Sequence, residues 1–278
     1  MPISLYVTKV SPSPTAESIC EDHVLRLLSY ILSHGTVTQK ELFPQLPLHH
    51  SGLPEVAPGS YCQGTECRHC QDVCPTAAIT VSAGDNGTYQ VSLDLGRCIS
   101  CGLCLNQCPE NVFVRNLSTA TAVRNRQALM LSNQPPVTHV GKQPEQANIF
   151  RRSLFVRVVS TGCSACDSEV ATTGNPVFDL ERFGIHVVAT PRAADAILVT
   201  GPLGLGMQDA LRRTYEAAAE PRLVIAAGTD AISGGVHAGG YAAANGLAGL
   251  LPVDVYIPGC PPHPWSIIHG LMLAMGRI

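Results

Sequence analysis

Apolar residues along this chain fall into two regimes. From residue 151 onward, short apolar strand-like runs alternate with helix-like stretches. The runs at 154–160, 185–189, 196–200, 223–227 and 253–257 predict strands. Between and after them, 177–183, 208–219 and 262–275 predict helices, with proline tolerated in the first turn of the last. That alternation implies an α/β domain with a mainly parallel sheet. The first half is less regular. Helical spacing over 17–33 stops at Gly35, and 42–58 carries four prolines and reads as irregular chain. Segments 78–82 and 88–93 alternate around Gly84-Asp85-Asn86-Gly87, which predicts a β-hairpin. Residues 119–150, with Pro135, Pro136, Pro144 and five Asn or Gln from Asn133 to Asn148, read as a connector holding a short helix at 127–131.

Eight of the twelve cysteines interrupt the first half in two matching runs. One is Cys62-x4-Cys67-x2-Cys70-x3-Cys74-Pro75, the other Cys98-x2-Cys101-x2-Cys104-x3-Cys108-Pro109. Three closely spaced thiolates wrap one four-iron cluster, and the fourth, followed by proline, turns away to the other. The pattern, that of bacterial two-cluster ferredoxins, pairs Cys62, Cys67, Cys70 and Cys108 on one cluster and Cys74, Cys98, Cys101 and Cys104 on the other. Zinc and disulfides are the alternatives, but zinc prefers two separated Cys pairs. The repeat places Gly64 opposite Cys98, so Cys62 must reach its cluster from a longer loop; without it the first cluster would be an incomplete three-iron one. Cys20, on the first helix, reads as a small buried hydrophobe, and His49 and His50 as an exposed loop pair rather than metal ligands.

Composition narrows the class. An apolar fraction of 45% supports a core, while 14% charged residues and a net charge of −3 argue against nucleic acid and for a surface covered by partner proteins. No apolar run approaches a membrane span, no signal peptide is expected, and reduced cysteines point to the cytoplasm.

The strand ends of the second half carry a further constellation. Cys163 and Cys166 follow the first strand, Gly228-Thr229-Asp230 a later one, and Pro258-Gly259-Cys260-Pro261-Pro262 the last. Ligands of open α/β sheets bind beyond the carboxyl ends of strands, so Cys163, Cys166, Asp230 and Cys260 are four potential ligands around one point. A redox disulfide between Cys163 and Cys166, with Cys260 in the core, is the alternative reading.

Cys163-x2-Cys166-Asp167-x-Glu169, Leu198-Val199-Thr200-Gly201-Pro202, Leu211-Arg212-Arg213-x-Tyr215-Glu216, Gly228-Thr229-Asp230-Ala231-x-Ser233-Gly234-Gly235 and Pro258-Gly259-Cys260-Pro261-Pro262 together resemble one family. It is the small cluster-bearing subunit of complex I and of membrane-bound, energy-converting [NiFe]-hydrogenases. The ferredoxin-like half resembles the two-cluster subunit of the same complexes, so the chain reads as a fusion. The resemblance implies an α+β ferredoxin-like module (59–118) after an N-terminal helical or irregular segment (1–58). The connector (119–150) then leads to an α/β flavodoxin-like parallel-sheet domain (151–278). It further implies three [4Fe-4S] clusters, the third held by Cys163, Cys166, Cys260 and Asp230, where the family has cysteine in place of the aspartate. A carboxylate is a weaker ligand there, so a labile or three-iron cluster, or none, stays open. Glu169 and His263 stand beside this site as candidates for proton relay or tuning, with a structural hydrogen bond or plain surface role as the alternative. The implied partners are a large hydrogenase-like or complex I-like catalytic subunit, membrane antiporter-like subunits and a soluble ferredoxin. The chain would sit on the cytoplasmic face of the membrane through them. The alternatives are the equivalent subunit of a complex I-like quinone reductase or of a nickel-free hydrogenase-related complex and, from a different class, a docking module without the third cluster.

Overall fold

The computed structural model describes residues 16–35, 39, 41–57, 59, 60, 62, 67–83, 89–133 and 149–278, and leaves the side chains of 16–24 and 164 aside. Two units, Met1–Gln39 and Lys40–Ile278, separate on compactness. The first contains helix α1 (Ala16–His34), which ends where the backbone turns at Gly35 with φ +59°. Leu25, Leu28, Ile31 and Leu32 on it are exposed. The side chain of Cys20 and the hairpin turn 84–87 lie outside the described residues. Among the described residues no helix is long and apolar enough to cross a membrane.

The second unit opens with the cysteine-rich module. Strand β1 (Leu53–Val56) precedes the short helix α2 (His69–Asp72), the antiparallel strands β2 (Ile79–Ala83) and β3 (Tyr89–Asp94), helix α3 (Leu103–Gln107) and strand β4 (Phe113–Asn116). β1 pairs with β4, Val56 opposite Phe113, so a strand forms inside the proline-rich stretch read as irregular. Pro54 is tolerated because this two-stranded sheet is all edge. The sequence repeat of period 34 is repeated in the backbone. Ala77 and Asn111 both take positive φ, +48° and +49°. The N–H of Ala78 donates to Cys74 Sγ at 3.2 Å, and that of Val112 donates to Cys108 Sγ at 3.4 Å.

The stretch read as a connector is built into both sides of the unit as far as Ser132. A 3-10 turn, Arg126–Leu129, leads into strand β5 (Met130–Ser132), which joins β3 where a short helix was expected. Val123 forms an isolated bridge with Tyr256 of the α/β part, and Arg124 Nη2 donates to Leu273 O at 2.6 Å. Arg126 forks onto Asp94 with bonds of 2.8 and 2.6 Å, its guanidinium filling the space a side chain at Gly96 would need. Asp94 is almost fully buried, so removing its partner strands a charge. Arg126→Met is expected to lower stability by about 2 kcal/mol in urea unfolding, reduced from the fully buried case by the partial exposure of Arg126.

The α/β part holds strands β6 (Leu154–Ser160), β7 (Ile185–Val187), β8 (Ala196–Thr200), β9 (Leu223–Ala227) and β10 (Val255–Ile257), with helices α4 (Ser164–Thr172), α5 (Gln208–Ala217), α6 (Thr229–Ser233) and α7 (Pro264–Ala274). Every pairing is parallel and the order is β10-β9-β8-β6-β7, or 2-1-3-4-5 counted from the first strand. β8 and β9 are buried at every residue, as strands covered on both faces must be. One face packs on α7, with Trp265, Ile268 and Leu271 against Leu198 and Ile225; the other packs Ile197, Val199 and Val224 on Leu211, Ile232 and Leu247.

One helix expectation is corrected. Residues 177–183 form only a 3-10 turn at Leu180–Phe183, because Asn175 Oδ1 caps the amides of Val177 and Phe178 and Asp179 sits at φ +49°. The helix of this region is α4, immediately after the Cys163 loop.

Candidate metal centres

The strand order places the topological switch between β6 and β8, and the loops beyond their carboxyl ends meet there. Thr161 Oγ1 donates to Thr200 O at 2.7 Å and accepts from the N–H of Leu203, which ties the two loops together. Asp167, in the first turn of α4, accepts from Ser160 Oγ and Thr200 Oγ1, both at 2.5 Å. These bonds aim the helix start, with Cys163 and Cys166, at the crevice. Cys163 Sγ accepts from the N–H of Cys166 at 3.4 Å. Asp167 stood in the sequence motif beside the Cys-x2-Cys pair without a role assigned to it; these two bonds supply one.

Asp230 arrives from the next strand end. It is 5% exposed, and its Oδ1 has no hydrogen-bond partner; burial raises its carboxyl, while His237 and the Cys163 thiol pull it back. Two glycines make room for this crowding. A Cβ at Gly228, where φ is +90°, would lie 2.8 Å from Cys166 Sγ, and one at Gly235 would collide with Asp230 Oδ1. Cys260 comes from the loop after β10. Burial pushes its thiol up to about 11, with Asp230 and Cys163 adding to the shift. Burial also raises Cys166, helped by Cys163, Cys260 and Asp230. Cys163, Cys166, Asp230 and Cys260 are thus within electrostatic reach of one another.

The eight cysteines of the module fall into two such sets. Burial pushes Cys70 up to about 12, and Cys108, Cys62 and Cys67 stand near enough to contribute. Cys62 is likewise raised by burial and then by Cys108 and Cys67. In the other set burial pushes Cys98 up to about 12 and Cys104 up to about 11, with Cys101 and Cys74 as neighbours of both. Pro54, Pro75, Ile79 and Leu93 wall a small cavity together with Cys74, Cys98, Cys101 and Cys104. All described cysteines are free thiols, and among the described residues no three His, Cys, Asp or Glu side chains are arranged to hold a single metal ion. Desolvated thiols that raise one another's pKa need positive charge among them before they ionise. Iron–sulfur cores supply that charge at a spacing wider than one tetrahedral ion, and the donors fit them.

Glu169 and His263 line a cleft of about 180 Å³ that reaches Cys260. Burial raises Glu169, an effect that His50 moderates; burial lowers His263, and His50 lowers it further. His263 Nδ1 accepts from the N–H of Trp265 at 3.2 Å, which leaves Nε2 as its free ring nitrogen. His50 lies in the same cleft, its ring edge-on to His263 at 6.2 Å. Both His49 and His50 are exposed.

The two halves meet at α6. Thr229 Oγ1 donates to the carbonyl of Cys98 at 2.8 Å, and Ser233 Oγ donates to that of Gly96 at 2.7 Å.

Comparison with known proteins follows this division. Residues 62–112 match the 4Fe-4S dicluster domain, and 163–274 match the NADH ubiquinone oxidoreductase 20 kDa subunit. A probable membrane-bound hydrogenase subunit of Pyrococcus furiosus is 39% identical over 128 residues, 46% of this chain and 77% of that protein. An uncharacterized protein of Methanocaldococcus jannaschii is 44% identical over 126 residues, 45% of this chain and 84% of the relative. The chain belongs to the family of the NADH ubiquinone oxidoreductase 20 kDa subunit. Formate hydrogenlyase subunit 7 of Escherichia coli is 42% identical over 130 residues, and the chain spans about half of it, 51%. Membership accounts for the α/β part, and the dicluster match for the cysteine-rich module before it.

Proposed function

We propose that this chain is an electron-transfer subunit of a membrane-associated, hydrogenase-like complex, linking a ferredoxin-type carrier to a large catalytic partner. The observation that carries the reading is the division of the cysteines into three sets, the second joined to the third through Thr229. In this reading Cys62, Cys67, Cys70 and Cys108 hold one [4Fe-4S] cluster. Cys74, Cys98, Cys101 and Cys104 hold a second, and Cys163, Cys166, Cys260 and Asp230 a third. Such clusters supply one-electron carriage, tuned by hydrogen bonds to sulfur and by burial. The chain's own residues contribute both. The N–H groups of Ala78, Ser100, Val112 and Cys166 donate to cysteine sulfurs, and apolar walls bury Cys98 and Cys104 of the second set, leaving Cys101 at the surface. Glu169 and His263 place a carboxyl and an imidazole beside Cys260, where they tune its charge or exchange protons. The ferredoxin-like module spans 59–118 and the flavodoxin-like domain 151–278 in this assignment, and both face partners on the inner side of a membrane.

No nickel–iron site is expected in the chain itself, because the proposed ligand sets account for every cysteine except Cys20. Catalysis belongs to the partner. A second reading, a complex I-like quinone reductase subunit, is favoured by the description of the matched family. Purification of the native complex under anaerobic conditions tests both. The expected result is about twelve irons per chain, three clusters of four. Nickel-ligating cysteines in the co-purified large subunit favour the hydrogenase reading, and their absence favours the second. An iron content near zero would overturn both.

A further inference from the structure

Of the bonds that join the two cluster-bearing parts, one hydroxyl reaches a proposed ligand residue on the far side. Thr229 is fully buried, at 0% exposure, and its Oγ1 lies 2.8 Å from the carbonyl oxygen of Cys98 and 3.3 Å from that of Gly259. A threonine hydroxyl has one proton to donate, and the shorter, better-formed bond takes it. Gly259 O already receives the N–H of Thr229 at 2.9 Å, so the hydroxyl proton is left for Cys98. Thr229 therefore touches three proposed ligand residues through short connections. Its hydroxyl holds the carbonyl of Cys98, its own peptide continues into Asp230, and its amide holds the carbonyl of the residue before Cys260.

The surrounding backbone leaves this hydroxyl little freedom. Gly228, immediately before it, is the N-cap of α6 and is packed so tightly that a Cβ would meet Cys166 Sγ; Thr229 is the first residue of that short helix. One turn later, Ser233 makes a parallel bond to the carbonyl of Gly96, two residues before Cys98. The two hydroxyls are thus matched to two carbonyls of the turn that follows β3 and leads into Cys98. Their positions differ in one respect. Ser233 gives its single proton to Gly96 at 2.7 Å and stands 3.2 Å from the Thr229 carbonyl, whereas Thr229 bonds the proposed ligand residue Cys98 itself and continues directly into Asp230.

We propose that Thr229 is a positioning residue that fixes the Cys98 side of the second ligand set against the third and carries the electronic contact between them. The inference rests on the electron-transfer reading above and deepens it. Cys74, Cys98, Cys101 and Cys104 would hold the electron donor and Cys163, Cys166, Asp230 and Cys260 the acceptor, so that the one electron lost by the first would be the one gained by the second. No bond is made or broken, and the hydroxyl keeps its proton. Thr229 holds the connection short where a gap between the two halves would otherwise have to be crossed.

The test compares Thr229→Val, Thr229→Ser and Ser233→Ala in the full, anaerobically prepared chain. Two readouts are taken besides iron content: the spin–spin interaction between the reduced second and third sets by EPR, and the intramolecular electron-transfer rate after pulsed reduction. Thr229→Val is expected to slow the passage and weaken the magnetic interaction, and Thr229→Ser, which keeps the hydroxyl, to restore both. Ser233→Ala removes the neighbouring junction bond and should lose thermal stability while both readouts stay at the wild-type value. Wild-type readouts in Thr229→Val, or equal slowing in Ser233→Ala, would overturn the assignment and leave the electron-transfer reading standing. Absence of a third paramagnetic centre in the wild type would overturn both.

Discussion

Asp230→Ala is expected to strip about four of about twelve irons from the protein as purified while making the metal-free chain more stable. The two effects have one cause. Asp230 Oδ1 is buried without a hydrogen-bond partner, and burial raises the carboxyl's pKa against the pull of His237 and the Cys163 thiol. An unsatisfied buried acceptor costs about 1–3 kcal/mol, and alanine removes it. A fold retains such an atom where something else uses its lone pairs, and here the neighbours are Cys163, Cys166 and Cys260. Asp230→Cys should keep the iron and change the EPR signal of the third centre, because a thiolate is the softer and tighter ligand for iron in a sulfide cluster. Iron analysis, EPR and thermal unfolding of the metal-free forms read all three results. Unchanged iron and spectra in both variants would remove Asp230 from the ligand set.

The second large effect is on acid stability and comes from His269. Its Nδ1 accepts the N–H of Ala122 at 3.2 Å, and its ring stands edge-on to Phe43 at 5.0 Å. Burial lowers its pKa from 6.5 to about 4. The folded chain therefore holds the neutral ring, whereas the unfolded chain protonates it near 6.5. Its contribution is complete above pH 6.5 and is lost as the pH falls from 6.5 to about 4. The loss amounts to at most about 3 kcal/mol at the acid end. His269→Asn keeps an acceptor for Ala122 and cannot titrate. Thermal unfolding should show the wild type losing stability relative to this variant across that window, and parallel curves would contradict the assignment.

Legibility in the sequence followed the strength of the physical signal. The runs at 196–200 and 223–227 stand where they were expected because a strand covered on both faces needs a near-continuous apolar run, and 154–160, partly exposed and holding Arg157, stood out by its Val and Phe content. The hairpin strands were equally readable from alternation. Helix α4 was missed because its nine residues carry no apolar stripe; it is placed by Asp167 and by the Cys163 loop rather than by a buried face. Strand β1 hid behind prolines that only an edge tolerates, and β5 behind a short apolar stretch that fits either helix or strand. Within the site, cysteines announce themselves by spacing. Thr229 and His50 do not, because their importance arises from contacts across 131 residues of chain in one case and from a shared cleft in the other.

The junction built by Thr229, Ser233, Val123 and Arg124 also bears on why the two parts share a polypeptide. Hydrogen bonds and a bridge already fix one part against the other. The peptide link, which carries Val123 and Arg124, shares in defining that geometry. What it adds is stoichiometry: each α/β domain is made with one cysteine-rich module, at an effective concentration that a separate subunit would have to reach by abundance.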